Sequence, residues 1–144
     1  MKWFYNRIYR KEKGFTLVEL MVVIIILAVL TGIAIPSYLA LRNRARIQAT
    51  RSELQNIATA ISVYEADMED WPDALADLEA NDSSGTGPYM ANVPSQDAWG
   101  ELYQYAADAP AAGDYRLYSF GPDQTDDTGA DDDIVIVNGV FTDE

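Results

Sequence analysis

The sequence predicts an α+β fold: one long N-terminal helix, apolar enough in its first half to cross a membrane, with a small antiparallel β-sheet packed on its second half. Three observations predict it. Residues 15–35 are an apolar run broken by a single carboxylate, Glu19. Beyond that run Leu54, Ile57, Ala58, Ile61, Tyr64 and Met68 recur at helical spacing. Three short runs rich in aromatic and β-branched residues, 102–106, 114–120 and 133–141, are each bounded by Gly, Pro or Asp clusters and read as strands.

Residues 1–14 hold Lys2, Arg7, Arg10, Lys11 and Lys13 against Glu12, a net charge of +4 that keeps this leader in the cytoplasm and sends the rest of the chain across the membrane. The apolar run would span about 31 Å as a helix, the thickness of a bilayer core. A carboxylate inside hydrocarbon costs several kcal/mol unless it is partnered, so Glu19 is expected to act, with a partner from another chain. Pro36 removes a helix hydrogen bond beside the weak helix formers Thr31 and Gly32, which makes residues 28–36 the place for a kink or local melting of the helix. The amphipathic half, residues 37–70, stops at Trp71-Pro72, because the residue before a proline is driven out of the helical region. Asp73 is expected to cap a short helix over 74–79, ahead of a turn cluster at 81–88. Asn138-Gly139 either turns the last run into a small hairpin or ends it.

Composition limits the chemistry. The chain has no cysteine and no histidine. Disulfide staples, zinc–histidine sites and nucleophiles activated by an imidazole are therefore excluded. Residues 83–88, Ser-Ser-Gly-Thr-Gly-Pro, lack the lysine of a phosphate-binding loop. Paired carboxylates of the glycoside-hydrolase kind remain formally possible, but acids crowded in one loop make a cation site first, and no enzyme activity is expected. Residues 65–144 carry 20 acidic residues against the single base Arg116, whereas Arg42, Arg44, Arg46 and Arg51 cluster just past the apolar run. Such an acidic domain repels nucleic acid. The arginine cluster suits anionic lipid headgroups or the acidic face of a neighbour. Trp71 and Trp99 are expected to be packing anchors.

The Gly14-Phe15 junction ahead of the apolar run, Glu19 five residues into the segment it begins, and Pro36 at its twenty-second position together resemble the N-terminus of the type IV pilin superfamily. The resemblance implies that Gly14 ends a leader removed by a prepilin peptidase. Phe15 becomes the N-methylated amino terminus, and Glu19 and Pro36 serve assembly. The globular part resembles the major pseudopilin family of type II secretion. That resemblance is carried by Asp70-Trp71-Pro72, Gly87-Pro88-Tyr89, Val93-Pro94, the run from Asp97-Ala98-Trp99-Gly100 to Tyr105, and Asp114-Tyr115-Arg116-Leu117-Tyr118-Ser119-Phe120-Gly121-Pro122-Asp123 followed by Asp131-Asp132-Asp133-Ile134. The chain departs from the family at Ala98 and Leu102, where prolines are usual, and at Gln124, where glycine is usual. The resemblance implies a homo-oligomeric helical filament in the periplasm, held before assembly in the inner membrane by a single pass. Minor pseudopilins, an inner-membrane assembly platform, a cytoplasmic ATPase and membrane lipid are the implied partners. A surface pilin for adhesion, motility or electron transfer is the alternative, and a calcium-dependent binding module that never polymerises is a third.

Six aspartates, Asp123, Asp126, Asp127, Asp131, Asp132 and Asp133, fall between Ser119 and Ile134. They would repel one another without a cation or open solvent, and they lack EF-hand spacing. The resemblance implies a structural calcium held by Asp123 and Asp131, a Ser119 oxygen and the Leu117 carbonyl, with Asp132 as the alternative.

Overall fold

The computed structural model describes residues 14–81, 85–108, 111, 113–126 and 132–142. The chain divides into two compact units, Met1–Ala40 and Leu41–Glu144. Helix α1, Leu17–Met68, contains Pro36 without interruption. The missing proline N–H takes one hydrogen bond out of the ladder at Gly32, and one residue later the Ser37 hydroxyl donates to the Ile33 carbonyl at 3.1 Å.

Within the first unit the apolar side chains of α1 have nothing to cover them: Leu17, Leu20, Ile24, Leu27, Leu30 and Ile33 are all more than half exposed. The helix is long and apolar enough to cross a membrane.

Within the second unit α1 becomes amphipathic. Thr50, Leu54, Ile57, Ala58, Ala60 and Ile61 are buried, a set that recurs every three or four residues and so forms one stripe. Four strands complete the core: β1 (Gln104–Ala107), β2 (Tyr115–Ser119), β3 (Ile134–Val137) and β4 (Val140–Phe141). They form an antiparallel meander in the order β1-β2-β3-β4. Leu117 sits opposite Tyr105 on one side and Ile136 on the other. Tyr115, Leu117 and Ser119 alternate inward along β2 while Arg116 and Tyr118 face outward, the Arg116 guanidinium lying 4.2 Å from the Tyr118 ring centroid. Tyr115, Leu117 and Ile136 pack with Leu54, Ile57 and Ile61 of α1 and with Leu78. Burying each such aliphatic side chain stabilises the fold by about 1.5–3 kcal/mol.

Two boundaries differ from the sequence expectation, and at a third the structure takes one of the two alternatives the sequence left open. The helix ends at Met68, before Trp71-Pro72, with Glu69 in the left-handed region (φ 60°) and its N–H still bonded to the Glu65 carbonyl at 2.8 Å. The early exit delivers Trp71 edge-on to Tyr115, with ring centroids 4.9 Å apart, and lets the buried Pro72 accept a 2.8 Å bond from the Tyr105 hydroxyl through its carbonyl. The short second helix is a 3₁₀ helix, Leu75–Glu79. Its start is tied by Asp77, whose carboxylate accepts the Ala74 N–H at 2.8 Å, so Asp77 and not Asp73 supplies the cap. The last strand run is a hairpin: Asn138 (φ 49°) and Gly139 (φ 80°) take the two left-handed positions of a tight turn. Asn138 also accepts the Tyr115 N–H at 3.0 Å through its side-chain oxygen.

Candidate functional site

At the head of α1, Gly14, Phe15 and Thr16 precede the first helical turn, and Phe15 is 91 % exposed. The peptide bond between Gly14 and Phe15 is thus in open chain. Glu19 is engaged locally: its Oε2 accepts the Thr16 N–H at 2.8 Å and the Thr16 hydroxyl at 2.9 Å, while the Glu19 N–H donates to the Thr16 hydroxyl oxygen at 3.2 Å. This is a reciprocal capping box. Sequence reasoning missed Thr16, although Thr-x-x-Glu before an apolar run is the signature of such a box. In the single chain Glu19 is therefore parked on its own helix terminus. Pro36 lies seventeen residues further along the same helix.

The acidic loop is built on the end of β2. A short 3₁₀ turn, Gly121–Asp123, follows Phe120 and closes on Gln124 in the left-handed conformation (φ 60°), which glycine adopts most readily. The Gln124 side chain compensates in part by donating to the Trp99 carbonyl at 3.1 Å. The returning limb packs hard against this turn: a Cβ on Gly121 (φ +70°) would lie 2.1 Å from the Asp132 carbonyl oxygen. The Asp123 N–H donates to Asp132 Oδ2 at 3.1 Å, and Asp123 Oδ1 accepts the Thr125 N–H at 2.9 Å.

The structure thus brings Asp123 and Asp132 together, each with one carboxylate oxygen outside these bonds. Asp131 lies outside the described residues. Leu117 is mid-strand, two residues before the buried Ser119. Among the described residues no group of three or more acidic side chains is arranged to hold a metal. The donors that are assembled are all oxygen, the donor type calcium selects.

Ser119 leads to a residue that sequence reasoning missed. Its hydroxyl donates to Asp97 Oδ2 at 2.6 Å and accepts the Gly121 N–H at 3.1 Å. Asp97 is itself buried, and its other oxygen accepts the N–H groups of Trp99, Gly100 and Glu101 at 2.9, 2.9 and 3.0 Å. The next residue, Ala98, donates its N–H to the buried Thr50 hydroxyl of α1 at 3.3 Å. The Asp97 carboxylate therefore ties the base of the acidic loop to the Asp97–Gly100 turn, and the Ala98 N–H ties that turn to the helix. An Asp three residues before a Gly is a turn signature, but its bond to Ser119 is non-local.

Beside it, the Tyr103 hydroxyl donates to Glu53 Oε2 at 2.6 Å, and burial together with this carboxylate pushes the phenol well above the ordinary tyrosine range. Burial likewise raises Tyr105 and Tyr115. Trp71 and Trp99 pack against the core as anchors.

Residues 37–138 match the family model described as type II secretion system (T2SS), protein G, and residues 9–35 match the prokaryotic N-terminal methylation motif. The type II secretion system core protein G of Pseudomonas aeruginosa is 32 % identical over 139 residues, 90 % of this chain and 96 % of its own. The core protein G of Dickeya chrysanthemi is 33 % identical, covering 87 % and 86 %, and that of Escherichia coli 31 %, covering 86 % and 90 %. The chain, apolar N-terminal helix and four-stranded sheet together, belongs to the type II secretion system protein G family.

Proposed function

We propose that this chain is the structural filament subunit of a type II secretion pseudopilus, assembled from the inner membrane to drive protein export. The observation that carries the reading is the pairing of a wholly uncovered apolar helix with an N-terminal methylation motif on a family domain. A helix exposing that much apolar surface is satisfied by lipid before assembly and by neighbouring copies after it. The role is architectural, not catalytic.

In this account a prepilin peptidase cuts after Gly14, and Phe15 becomes the methylated amino terminus. The Glu19 carboxylate then leaves its capping contacts for the Phe15 amine of a neighbouring copy. The capping contact is worth about 1 kcal/mol. Leaving an amine and a carboxylate unpaired in hydrocarbon costs several kcal/mol, so the neighbour's amine wins. Residues 28–36 are where the helix yields in the fibre, since Pro36 already removes a bond there. The acidic domain occupies the periplasm, with minor pseudopilins and an inner-membrane assembly platform as partners.

Calcium belongs to the same proposal. Asp123 and Asp132 would hold it through the carboxylate oxygens outside their backbone contacts, and Asp131, a Ser119 oxygen and the Leu117 carbonyl are the further donors the family resemblance implies. Bound there, the ion would neutralise the mutual repulsion of the loop carboxylates and staple a domain that has no disulfide.

The test is intact-mass analysis of the full chain recovered from membranes that contain the peptidase. A chain that begins at Phe15 and is one methyl group heavier is expected. A cut after Ala34, as for a secretory signal, would discard the apolar helix and overturn the proposal.

A further inference from the structure

Arg42, Arg44 and Arg46 follow directly on the exposed Leu41 of α1, and none has an ion pair or hydrogen bond among the described residues. On a helix Arg42 and Arg46 stand one above the other while Arg44 points to the opposite side, so the three form a ring and not a stripe. Near the other end of α1 the acids repeat that spacing. Glu65 and Asp67 lie in the last turn, which has no basic residue, and Glu69 comes just past it. Acids there face the negative carbonyl end of the helix, a local conflict that an external cation would relieve.

The unit from Leu41 to Glu144 carries 21 acidic residues and five arginines, a net charge of −16. A domain so charged is repelled by anionic lipid and by its own copies alike, over the roughly 8 Å of a Debye length. An arginine set against an acid relieves that repulsion where copies pack closely. The two rings are displaced by 23 residues, roughly 35 Å of helix. Copies inserted in a membrane by the same leader run parallel. Raising one by that distance sets its arginine ring beside the acidic ring of the lower copy.

We propose that the Arg42, Arg44 and Arg46 ring binds the Glu65, Asp67 and Glu69 end of α1 on another copy of this chain, fixing an axial stagger near 35 Å between parallel helices. The inference rests on the filament reading and adds to it a contact and a distance. Arginine suits the task because its planar fork grips a carboxylate through two bonds.

The absence of native cysteine provides a clean test. In the full chain, Arg44→Cys and Asp67→Cys together place two thiols roughly 35 Å apart along one helix, far beyond the roughly 7 Å limit of a disulfide, so any bond must join two copies. Oxidation of assembled filaments should give a ladder of covalent oligomers from the double variant and none from either single variant. In parallel, Arg44→Asp or Asp67→Arg alone should cut filament yield about tenfold, the effect of one charge-assisted pair, and the two together should restore it. Filaments that form normally but give neither ladder nor rescue would overturn the proposal, assign the arginines to anionic headgroups, and leave the filament reading standing. Failure of the unaltered chain to form any filament would remove both.

Discussion

Replacing Asp97 by alanine removes four acceptor contacts at once, one from the Ser119 hydroxyl and three from the backbone N–H groups of Trp99, Gly100 and Glu101. A hydrogen bond to a charged group is worth about 1.5–3 kcal/mol net. The three turn donors are not deeply buried, so water replaces much of what they lose. Ser119 is fully buried and has no such recourse. Counting Ser119 at about 2 kcal/mol and the turn at another 1–2 gives a loss of about 3–4 kcal/mol. For a domain near 100 residues that lowers the melting temperature by roughly 12–16 °C. Asp97→Asn keeps an acceptor for the turn but offers Ser119 a donor, so about half the loss is expected. The assay is thermal melting of the full chain in detergent, accompanied by near-ultraviolet circular dichroism of the tryptophans. An alanine variant within about 1 kcal/mol of the parent, or an asparagine variant no better than alanine, would refute the reasoning.

Gly121→Ala should cost more than about 2 kcal/mol in urea unfolding, because the new Cβ meets the Asp132 carbonyl in a backbone conformation that disfavours side chains. Tyr103 is held neutral by burial and by Glu53, so its folded-state pKa lies above the unfolded value of about 10. Its contribution is fully present below pH ~10 and is lost as pH rises through the folded value, so the urea midpoint should fall above pH ~10, and less steeply in Tyr103→Phe. Tyr105 and Tyr115 shift the same way and leave part of the slope in place. Added calcium should raise the melting temperature by linkage, reversibly on chelation, and Asp123→Ala or Asp132→Ala should abolish the rise. A melting curve indifferent to both calcium and chelator would make the acidic loop a solvated surface.

Legibility in the sequence tracks the range of the forces involved. The stripe of Leu54, Ile57, Ala58 and Ile61 is a local pattern, and those residues are the helix side of the core. The strand runs are visible because aromatic and β-branched residues stand between turn formers, and Asn138-Gly139 delivers the hairpin its conformation favours. Helix termination is displaced by a few residues because the core's demand for Trp71 and Pro72 is a tertiary matter, and Glu69 accepts a left-handed conformation to meet it. Asp77 displaces Asp73 as the cap because a side chain reaching back to the start of the turn competes with one placed just before it. The Thr16–Glu19 box is readable but overshadowed by the expectation that Glu19 looks to another chain. Asp97 stands in the sequence as part of a motif without a role, since its partner Ser119 is 22 residues away and only the folded sheet brings them together.

The most direct test of the central claim is filament yield from full-length Glu19→Ala, measured together with leader removal and helix content. The account predicts a chain that is cut at Phe15, stays in the membrane and keeps its helix, because losing one capping contact costs only about 1 kcal/mol, yet forms no filaments. Filaments at the yield of the unaltered chain would contradict it, since the Phe15 amine would then have found its compensation elsewhere.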